Sequence, residues 1–530
     1  MGHAASPPCD EAVILQATER PCSPATARWV LAATILGSSV AFIDAMVVNV
    51  ALPVIQEDLG ASVSSAQWIV EAYALFLSSL VLVGGSLGDR LGRRRIFIAG
   101  TLIFAAASLA CGLAPEVRSI IAARAMQGIG AALLVPSSLA ILGAAFPPKE
   151  RGRAVGTWSA LTSMAGALGP VLGGWLVQAV SWRAVFLVNL PIAAAVVAIA
   201  VLKVPETRNP SSGRLDLAGA ALATIGLGAL VYGLIEAPSA GWSRLRTWAP
   251  IAGGAAALVA FVAVERRTKH PMVPLGLFQI RTFAAANLLT LFLYAALSGL
   301  FFFFPFELIQ SRGYSPAAAG AAALPLVVIM AALSRPMGGL ADRYGPRPFL
   351  VIGPVIAGVG FALFAALPGA ASYPLSVLPA LIVLGLGMVI TVAPLTAAVL
   401  NAVGRDDTGA ASGINNAVAR VAGLLAIAVF GIVAAGTFNR TLDRRLDAAR
   451  VSSATRQVIE PERARLGAMK APRGVPAEEA RAVEEAVPSS LDAAFREVAW
   501  ICAALAIVAA GCAAWGVRSG SDRRPATAAT

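Results

Sequence analysis

The chain of 530 residues is 58% hydrophobic and 13% charged, whereas a soluble globular chain is nearer half apolar and a quarter charged; the apolar excess excludes an ordinary soluble plan and calls for a lipid-facing surface. Its formal net charge of +12 would suggest nucleic acid in a soluble protein, but basic residues gathered in cytoplasmic loops account for it, and no nucleic-acid partner is expected. Two histidines, five scattered cysteines (Cys9, Cys22, Cys111, Cys502, Cys512) and lysines followed by Glu150, Val204, His270 and Ala471 give no zinc site, disulfide framework or P-loop, so neither metal nor cofactor is expected and the chain is not read as an enzyme.

About 27 polar, Pro-containing residues form an expected cytoplasmic tail, 1–27. The first apolar stretch, 29–52, is too long for a signal-peptide core and reads as a retained membrane helix. Further apolar stretches follow at 66–88, 96–114, 119–142, 154–178, 184–202, 217–236, 247–264, 283–305, 317–340, 348–367, 375–399, 408–435 and 496–517. Each is near the ~20 residues that a bilayer requires, so the expected fold class is an all-α polytopic membrane protein of fourteen transmembrane helices. An even number places both termini on one side. Loops at Arg90–Arg95, Lys149–Arg153, Lys203–Arg214, Arg266–Arg281 and Arg343–Arg347 are basic, while the opposite short loops hold only Arg118, Arg183, Arg244, Arg246 and Arg312. Both termini are therefore expected in the cytoplasm. Segment 437–494, rich in Arg, Asp and Glu, would lie outside, since long loops escape the charge rule. Its alternating charges and alanines suggest solvated helices forming an extracytoplasmic cap. Residues 518–530 form a second cytoplasmic tail.

A short motif occurs twice. Gly85-Ser-Leu87-Gly-Asp89-Arg90-Leu-Gly92-Arg93-Arg94 follows the second helix, and Gly338-Gly-Leu340-Ala-Asp342-Arg343-Tyr-Gly345-Pro-Arg347 follows the tenth. The copies stand further apart than six helices and their loops require, which leaves room for two extra helices between two six-helix halves, an arrangement met in transporters. Glycines let each helix end and turn tightly. Asp89 and Asp342 sit among arginines at the cytoplasmic face, where charge-assisted hydrogen bonds can form and break as the halves rock. Gly85, Asp89, Arg90, Gly92, Arg93, Arg94, Asp342 and Arg343 are therefore expected to gate the conformational change.

With these motifs the chain resembles the major facilitator superfamily, in its fourteen-span drug:proton antiporter branch (the EmrB/QacA-like multidrug efflux group). Asp44-Ala-Met-Val-Val-Asn49-Val-Ala-Leu-Pro53 resembles the branch's first-helix motif, and Arg124-Ala-Met-Gln127-Gly128-Ile-Gly130 its fourth-helix motif. Gly156, Gly169-Pro170 and Gly173-Gly174 resemble the fifth-helix antiporter motif, and Trp182-Arg183-Ala-Val-Phe186-Leu-Val-Asn189-Leu-Pro191 the start of helix six. Met46 departs from the usual Thr and Ala165 from the usual Gly. The resemblance implies a fold of two six-helix bundles plus two extra central helices. The expected divisions are 28–202 and 283–517 for the bundles and 203–282 for the linker with the extra helices.

Ionisable groups inside a membrane cost about 3 kcal/mol near the centre of a helix and are functional candidates by default. Asp44, Glu71, Arg124 and Arg420 stand within apolar stretches. At 1.5 Å per residue, Asp44 lies ~13 Å from the outer end of its helix and Glu71 and Arg124 ~8 Å. The three are expected to form one polar cluster. Asp44 is the first candidate for the proton-coupled acid and Glu71 the second. A carboxylate near Arg and in a cavity that alternately hydrates and dries can change protonation. For Asp44 the alternative is a static ion pair, and for Glu71 an interfacial carboxylate. The resemblance associates the Arg at position 124 with proton coupling. Asn49, Gln127, Asn415, Asn416 and Arg420 join Asp44 as expected cavity groups, with backbone carbonyls as an alternative partner for Arg420. Small residues at Gly156, Gly169, Gly173 and Gly174 allow close helix approach, Pro170 permits a bend, and the resemblance implies that this stretch seals the leak path. The run Phe301–Phe304 is expected to face lipid.

The expected function is proton-coupled efflux of small, amphipathic compounds such as drugs or antibiotics. Export of an endogenous lipid or secondary metabolite is the alternative, and uptake symport is opposed by the fifth-helix motif. One charge crossing 100 mV is worth about 2.3 kcal/mol and one pH unit about 1.4 kcal/mol, so the proton gradient alone could sustain a ~500-fold substrate gradient. Expected partners are the substrate and the lipid bilayer of the cell membrane. A periplasmic adaptor protein is an option only where the source has an outer membrane; otherwise a monomer is expected.

Overall fold

The structure is a computed structural model that describes residues 24–208, 216–242, 244–268, 273–367, 372–404, 407–471 and 474–517. Most of both expected tails, 1–23 and 518–530, and the basic stretch 209–215 lie outside the described residues.

Among the described residues, fourteen helices are long and apolar enough to cross a membrane. The first bundle comprises α1 (Thr26–Asp58), α2 (Val63–Leu91), α3 (Arg93–Gly112), α4 (Val117–Ala145), α5 (Glu150–Ala179) and α6 (Ala184–Lys203). The hairpin α7 (Leu217–Ala240) and α8 (Leu245–Arg267) follows. The second bundle comprises α9 (Arg281–Ser311), α10 (Pro316–Tyr344), α11 (Pro346–Ala366), α12 (Tyr373–Asn401), α13 (Thr408–Ala448) and α14 (Ala477–Gly516). Each matches one apolar stretch of the sequence. Local chemistry sets their ends: Ser62, Asp216 and Ser315 accept backbone N–H groups at the starts of α2, α7 and α10, as N-caps do. Gly92, at φ +113°, supplies the left-handed residue that separates α2 from α3 with a single break.

α4 packs against α1, α2 and α3 and is the hub of the first bundle. Its approach to α2 is close because glycine lines the seam: a Cβ on Gly84 would lie 2.0 Å from the Ala132 carbonyl oxygen. The hairpin α7–α8 is joined to both bundles, through α7 against α2 and α7 against α13.

The even number of helices brings both ends of the described chain to one face, here the tail face; the other is the cap face. The bundles meet near the cap face. Gln67 Nε2 of α2 donates to the Ile427 carbonyl of α13 at 2.6 Å, and Gln310 Nε2 of α9 donates to Gln56 Oε1 of α1 at 3.0 Å. α5 and α10 touch backbone to backbone, for a Cβ on Gly174 would lie 2.2 Å from the Pro316 carbonyl oxygen. Nearer the tail face, Gly156 and Gly339 of the same helices have open space beside them. The bundles therefore converge at the cap face and diverge toward the tail face.

Two expectations need correction. The segment 437–494 is not a separate loop of solvated helices: α13 runs on to Ala448 and α14 begins at Ala477, joined by a short helix Ser453–Ile459 and a tight turn Glu460–Ala468. Charged faces point outward, but Ile459, Leu466, Met469, Val483 and Leu491 close a buried seam between them. Gln56 Nε2 donates to the Arg465 carbonyl at 3.0 Å and Lys470 pairs with Glu57 at 2.6 Å, so this cap rests on the end of α1. The phenylalanine run is not lipid-facing either. Phe302, Phe303 and Phe304 are buried, Phe304 stacks with Phe364 and Phe495, and Phe301 and Phe302 line the central cavity. A continuous apolar run carries no periodicity to say which face is turned inward.

Candidate functional site

The central cavity, about 420 Å³, lies between α1, α2 and α4 on one side and α9 and α13 on the other, within the range of sites for small organic ligands. Its polar wall consists of Asn49, Glu71, Tyr73, Ser78, Arg124, Ser298, Asn416 and Arg420. Met46, also in the wall, is 44% exposed, so the cavity is open to its surroundings.

From that wall Arg124 reaches back into a buried ion-pair network. Arg124 and Gln127 stand one turn apart on α4 and project together toward α1. Arg124 Nη1 donates to Asp44 Oδ2 and, at 2.8 Å, to Gln127 Oε1, while Arg124 Nε donates to the Ile69 carbonyl at 3.0 Å. The other carboxylate oxygen of Asp44 accepts Gln127 Nε2 and Asn189 Nδ2, each at 2.9 Å. Ser108 Oγ accepts from Asn189 Nδ2 at 3.0 Å and donates to the Phe186 carbonyl at 2.8 Å. The Arg124 guanidinium also lies 4.3 Å above the Tyr73 ring. Asp44, Arg124, Gln127 and Asn189 are each at most 1% exposed. A desolvated ion pair persists only when its remaining hydrogen-bonding capacity is filled, and here both carboxylate oxygens of Asp44 and the Nε and Nη1 donors of Arg124 are engaged.

Glu71 is placed differently. It is fully buried, lines the same cavity as Arg124, and neither carboxyl oxygen has a hydrogen-bond partner among the described residues. The expected cluster of three charges is thus a bonded pair, Asp44–Arg124, with a separate acid facing the cavity. Helix depth brought the three to one level but could not give the rotation of α2. Arg420 faces the cavity from α13 and makes no ion pair among the described residues.

Of the expected cavity groups, Asn49, Asn416 and Arg420 line it, whereas Asp44 and Gln127 sit behind it. Asn415 is turned away, donating to Asn287 Oδ1 at 3.2 Å and Thr290 Oγ1 at 2.7 Å and so tying α13 to α9. Sequence reasoning missed Ser108, Tyr73 and Ser298, and took Asn189 only as part of a helix-start motif. Uncharged polar residues are common enough in membrane helices to give no signal.

On α5, Gly169 and Gly173 abut α1: a Cβ would lie 2.8 Å from Met46 Cβ and Val47 Cγ2 respectively. Gly174 and Pro170 abut α10, where a Cβ on Gly320 would lie 2.1 Å from the Pro170 carbonyl oxygen. Gly156 makes no close approach.

At the tail face Asp89 accepts Arg93 Nη2 at 2.7 Å. Arg93 Nη1 also donates to the Ala140 carbonyl at 3.3 Å, and Arg94 Nη1 to the Val204 carbonyl at 3.1 Å. The residue that sequence reasoning passed over is Glu206, in a stretch read only as basic. Its carboxylate accepts the backbone N–H groups of Arg94 at 3.0 Å and Arg95 at 3.2 Å, binding α3 to the chain that leaves α6. Gly85 contacts Pro136 of α4. In the second copy of the motif, Asp342 and Arg343 are exposed.

Residues 34–427 match the sequence profile of the Major Facilitator Superfamily. The chain is similar to the multidrug resistance protein Stp of Mycobacterium tuberculosis (strain CDC 1551 / Oshkosh), 36% identical over 433 residues, which is 81% of this chain and 80% of that protein. It is also similar to the tetracenomycin C resistance and export protein of Streptomyces glaucescens, 32% identical over 498 residues, covering 93% of this chain and 92% of that one. Among solved structures, a bacterial homolog of the human lysosomal transporter Spinster, inward-facing and unoccupied, aligns with a TM-score of 0.64 at 19% identity, over 94% of this chain and 100% of that one; at that identity the likeness shows the fold alone. With two six-helix bundles, an extra central hairpin and a motif repeated between the bundles, the chain belongs to the major facilitator superfamily, in its fourteen-span drug:proton antiporter branch.

Proposed function

We propose that this protein exports small amphipathic organic compounds, such as drugs or antibiotics, across the cell membrane in exchange for protons. The observation that carries the reading is Glu71. It is a buried carboxyl without a hydrogen-bond partner among the described residues, in the wall of the cavity that the substrate would occupy. An unpartnered buried carboxylate is costly, and a proton, water or a substrate group each relieve that cost. Proton and substrate then compete for one cavity, which is what exchange requires. Asp44, engaged by Arg124, Gln127 and Asn189, is assigned the second role: it holds Arg124 in place at the cavity wall. This reverses the order in which the two acids stand on sequence grounds.

The tail face carries Arg90, Arg93, Arg94, Arg95, Arg343 and Arg347, and the positive-inside rule assigns it to the cytoplasm together with both termini. The bundles converge at the cap face, so this arrangement loads from the cytoplasm. Residues 28–202 and 283–517 would rock about the cavity, with 203–282 as the joining piece. Asp89, Arg93 and Glu206 would break and remake contacts at the cytoplasmic face. A self-made antibiotic or other secondary metabolite is the second reading, favoured by the export protein of Streptomyces glaucescens among the relatives.

Inverted membrane vesicles with an acidified interior test the proposal. Addition of an exported compound should dissipate the pH gradient, followed with an acid-quenched fluorophore, in wild type but not in Glu71→Gln. A Glu71→Gln protein that still dissipates it would return the proton to Asp44. A well-expressed wild type that answers to no drug would favour the secondary-metabolite reading.

A further inference from the structure

Two charged groups of the central cavity stand without a counter-charge. The charge of Arg124 is met by Asp44. That leaves Glu71 on α2 and Arg420 on α13, and no ion pair joins these two among the described residues. They belong to opposite bundles. Proton exchange gives Glu71 a use but gives Arg420 none, because a guanidinium keeps its proton throughout the working pH range. Backbone carbonyls, the alternative partner for Arg420 on sequence grounds, do not accept from it among the described residues; its side chain is partly exposed and lines the cavity.

The wall around Arg420 is rich in donors. Asn416, Arg420 and Gly423 are spaced to share one face of α13, and all three line the cavity. Asn416, one turn before Arg420, donates one amide hydrogen to the Ser412 carbonyl at 3.0 Å and has a second to offer. Gly423, one turn after, leaves room for Ser298 of α9: a Cβ there would lie 3.1 Å from Ser298 Oγ. A planar cation, an amide N–H and a hydroxyl thus stand together on the wall that the second bundle supplies. A guanidinium takes a carboxylate or phosphate through two parallel N–H···O bonds. The first bundle supplies acceptors instead: Glu71, and Asn49 Oδ1, which is buried without a hydrogen-bond partner among the described residues.

We propose that Arg420, with Asn416 and Ser298, is an anion subsite, and that it makes export selective for compounds with an acidic oxygen (carboxylate, enolate or phenolate) at one end and an N–H or O–H donor at the other. The inference rests on the export reading above and deepens it by naming the substrate class. The donor end lies at Glu71, where it competes with the proton. The acidic end lies at Arg420, whose charge the proton does not alter. Protonation of Glu71 therefore detaches one end of the molecule, and the other is released when the bundles rock and α13 moves away from the first bundle. A purely cationic compound would leave Arg420 uncompensated and add a like charge to its cavity, so simple lipophilic cations are poor cargo.

The test measures binding to the full chain in phosphatidylcholine nanodiscs by isothermal titration, with protein-free discs as baseline. The probes are amino-substituted carboxylates of naphthalene, anthracene and acridine. Each is paired with its carboxamide, which keeps the size and the donor and loses the charge. On a frame that fits, wild type should bind the acid at least about tenfold more tightly than the carboxamide. Arg420→Met, of similar length and uncharged, should bring that ratio to within about twofold and melt at or above wild type, since it removes an uncompensated charge. Arg420→Lys keeps the charge without the fork and should fall between. Carboxamides that bind wild type as tightly as the acids would overturn the proposal, as would a ratio that survives in Arg420→Met, or no protein-dependent binding of any acid. An Arg420→Met protein that melts far below wild type would overturn it too, because the guanidinium would then be a structural anchor. An acid preference that vanishes when phosphatidylglycerol is added to the discs would give the subsite to a lipid headgroup and overturn its part in export. The antiport reading fails separately, if the acid preference is present and depends on Arg420 but the bound acids dissipate no pH gradient in inverted vesicles.

Discussion

Asp44 and Glu71 are both buried acids in the same bundle, yet removing their charges should have different effects. Asp44 accepts from Arg124, Gln127 and Asn189 on two neighbouring helices. Asp44→Asn leaves the Arg124 guanidinium charged and uncompensated in a buried site, and breaking a buried pair from one side costs about 3–5 kcal/mol. The purified variant should melt well below wild type in a thermal unfolding scan. Glu71→Gln removes a group that has no hydrogen-bond partner among the described residues to lose, so its melting temperature should stay at or above that of wild type while proton release on substrate addition disappears. A Glu71→Gln protein that melts as low as Asp44→Asn would mean that Glu71 is a structural anchor. At this scale the charges were legible in the sequence because each is an anomaly in an apolar run. Ser108, Asn189 and Ser298 were not, because a lone Ser or Asn costs a membrane helix little and stands out only when its neighbours across the bundle are known.

Helix α5 connects sequence to motion. Its glycines are not interchangeable: Gly169 and Gly173 seat it against α1 within one bundle, whereas Gly174 and Pro170 touch α10 of the other. Gly174→Leu should therefore leave the fold intact and obstruct closure of the cap face, lowering the initial rate of substrate efflux at least tenfold with little change in melting temperature. Gly156→Ala, with open space beside it, should transport at the wild-type rate and gain slightly in helix stability. Equal losses in both variants would show that α5 needs glycine for reasons other than contact with α10. The glycine pattern was visible in the sequence; its division between two partner helices was not, since that depends on the rotation of α5. The cap was misjudged for a related reason. Hydropathy marks where a helix leaves lipid, not where it stops, and α13 continues as a polar helix past the last apolar residue of its span.

At the scale of the whole molecule, the resting state depends on a small number of hydrogen bonds between bundles. Near the cap face they are Gln67 to the Ile427 carbonyl, Gln310 to Gln56, and the Ala317 N–H to Gln178 Oε1 at 3.3 Å. A net contribution of about 1 kcal/mol for each is a factor of about five in the balance between the two arrangements, so removing any one shifts the population without destroying the fold. Gln67 is the most consequential. Its side chain is 3% exposed, its bond to α13 is the shortest of the three, and Gly431 leaves it space that a larger residue would fill. Gln67→Ala should raise the population open at the cap face about fivefold. Spin labels on Val180→Cys and Leu375→Cys, exposed residues at the cap-face end of α5 and the cap-face start of α12, would report this as growth of a longer distance in a pulsed dipolar measurement. Gln56→Ala should act in the same direction through two losses at once, since Gln56 also donates to the Arg465 carbonyl of the cap. The exposed Lys470–Glu57 pair is of the kind worth about 0–1 kcal/mol, and Lys470→Ala should leave the distances unchanged. A distance distribution that responds to Lys470→Ala but not to Gln67→Ala would place the latch in the cap rather than at the seam of the bundles, and the cap would then be the element that sets which side of the cavity is open.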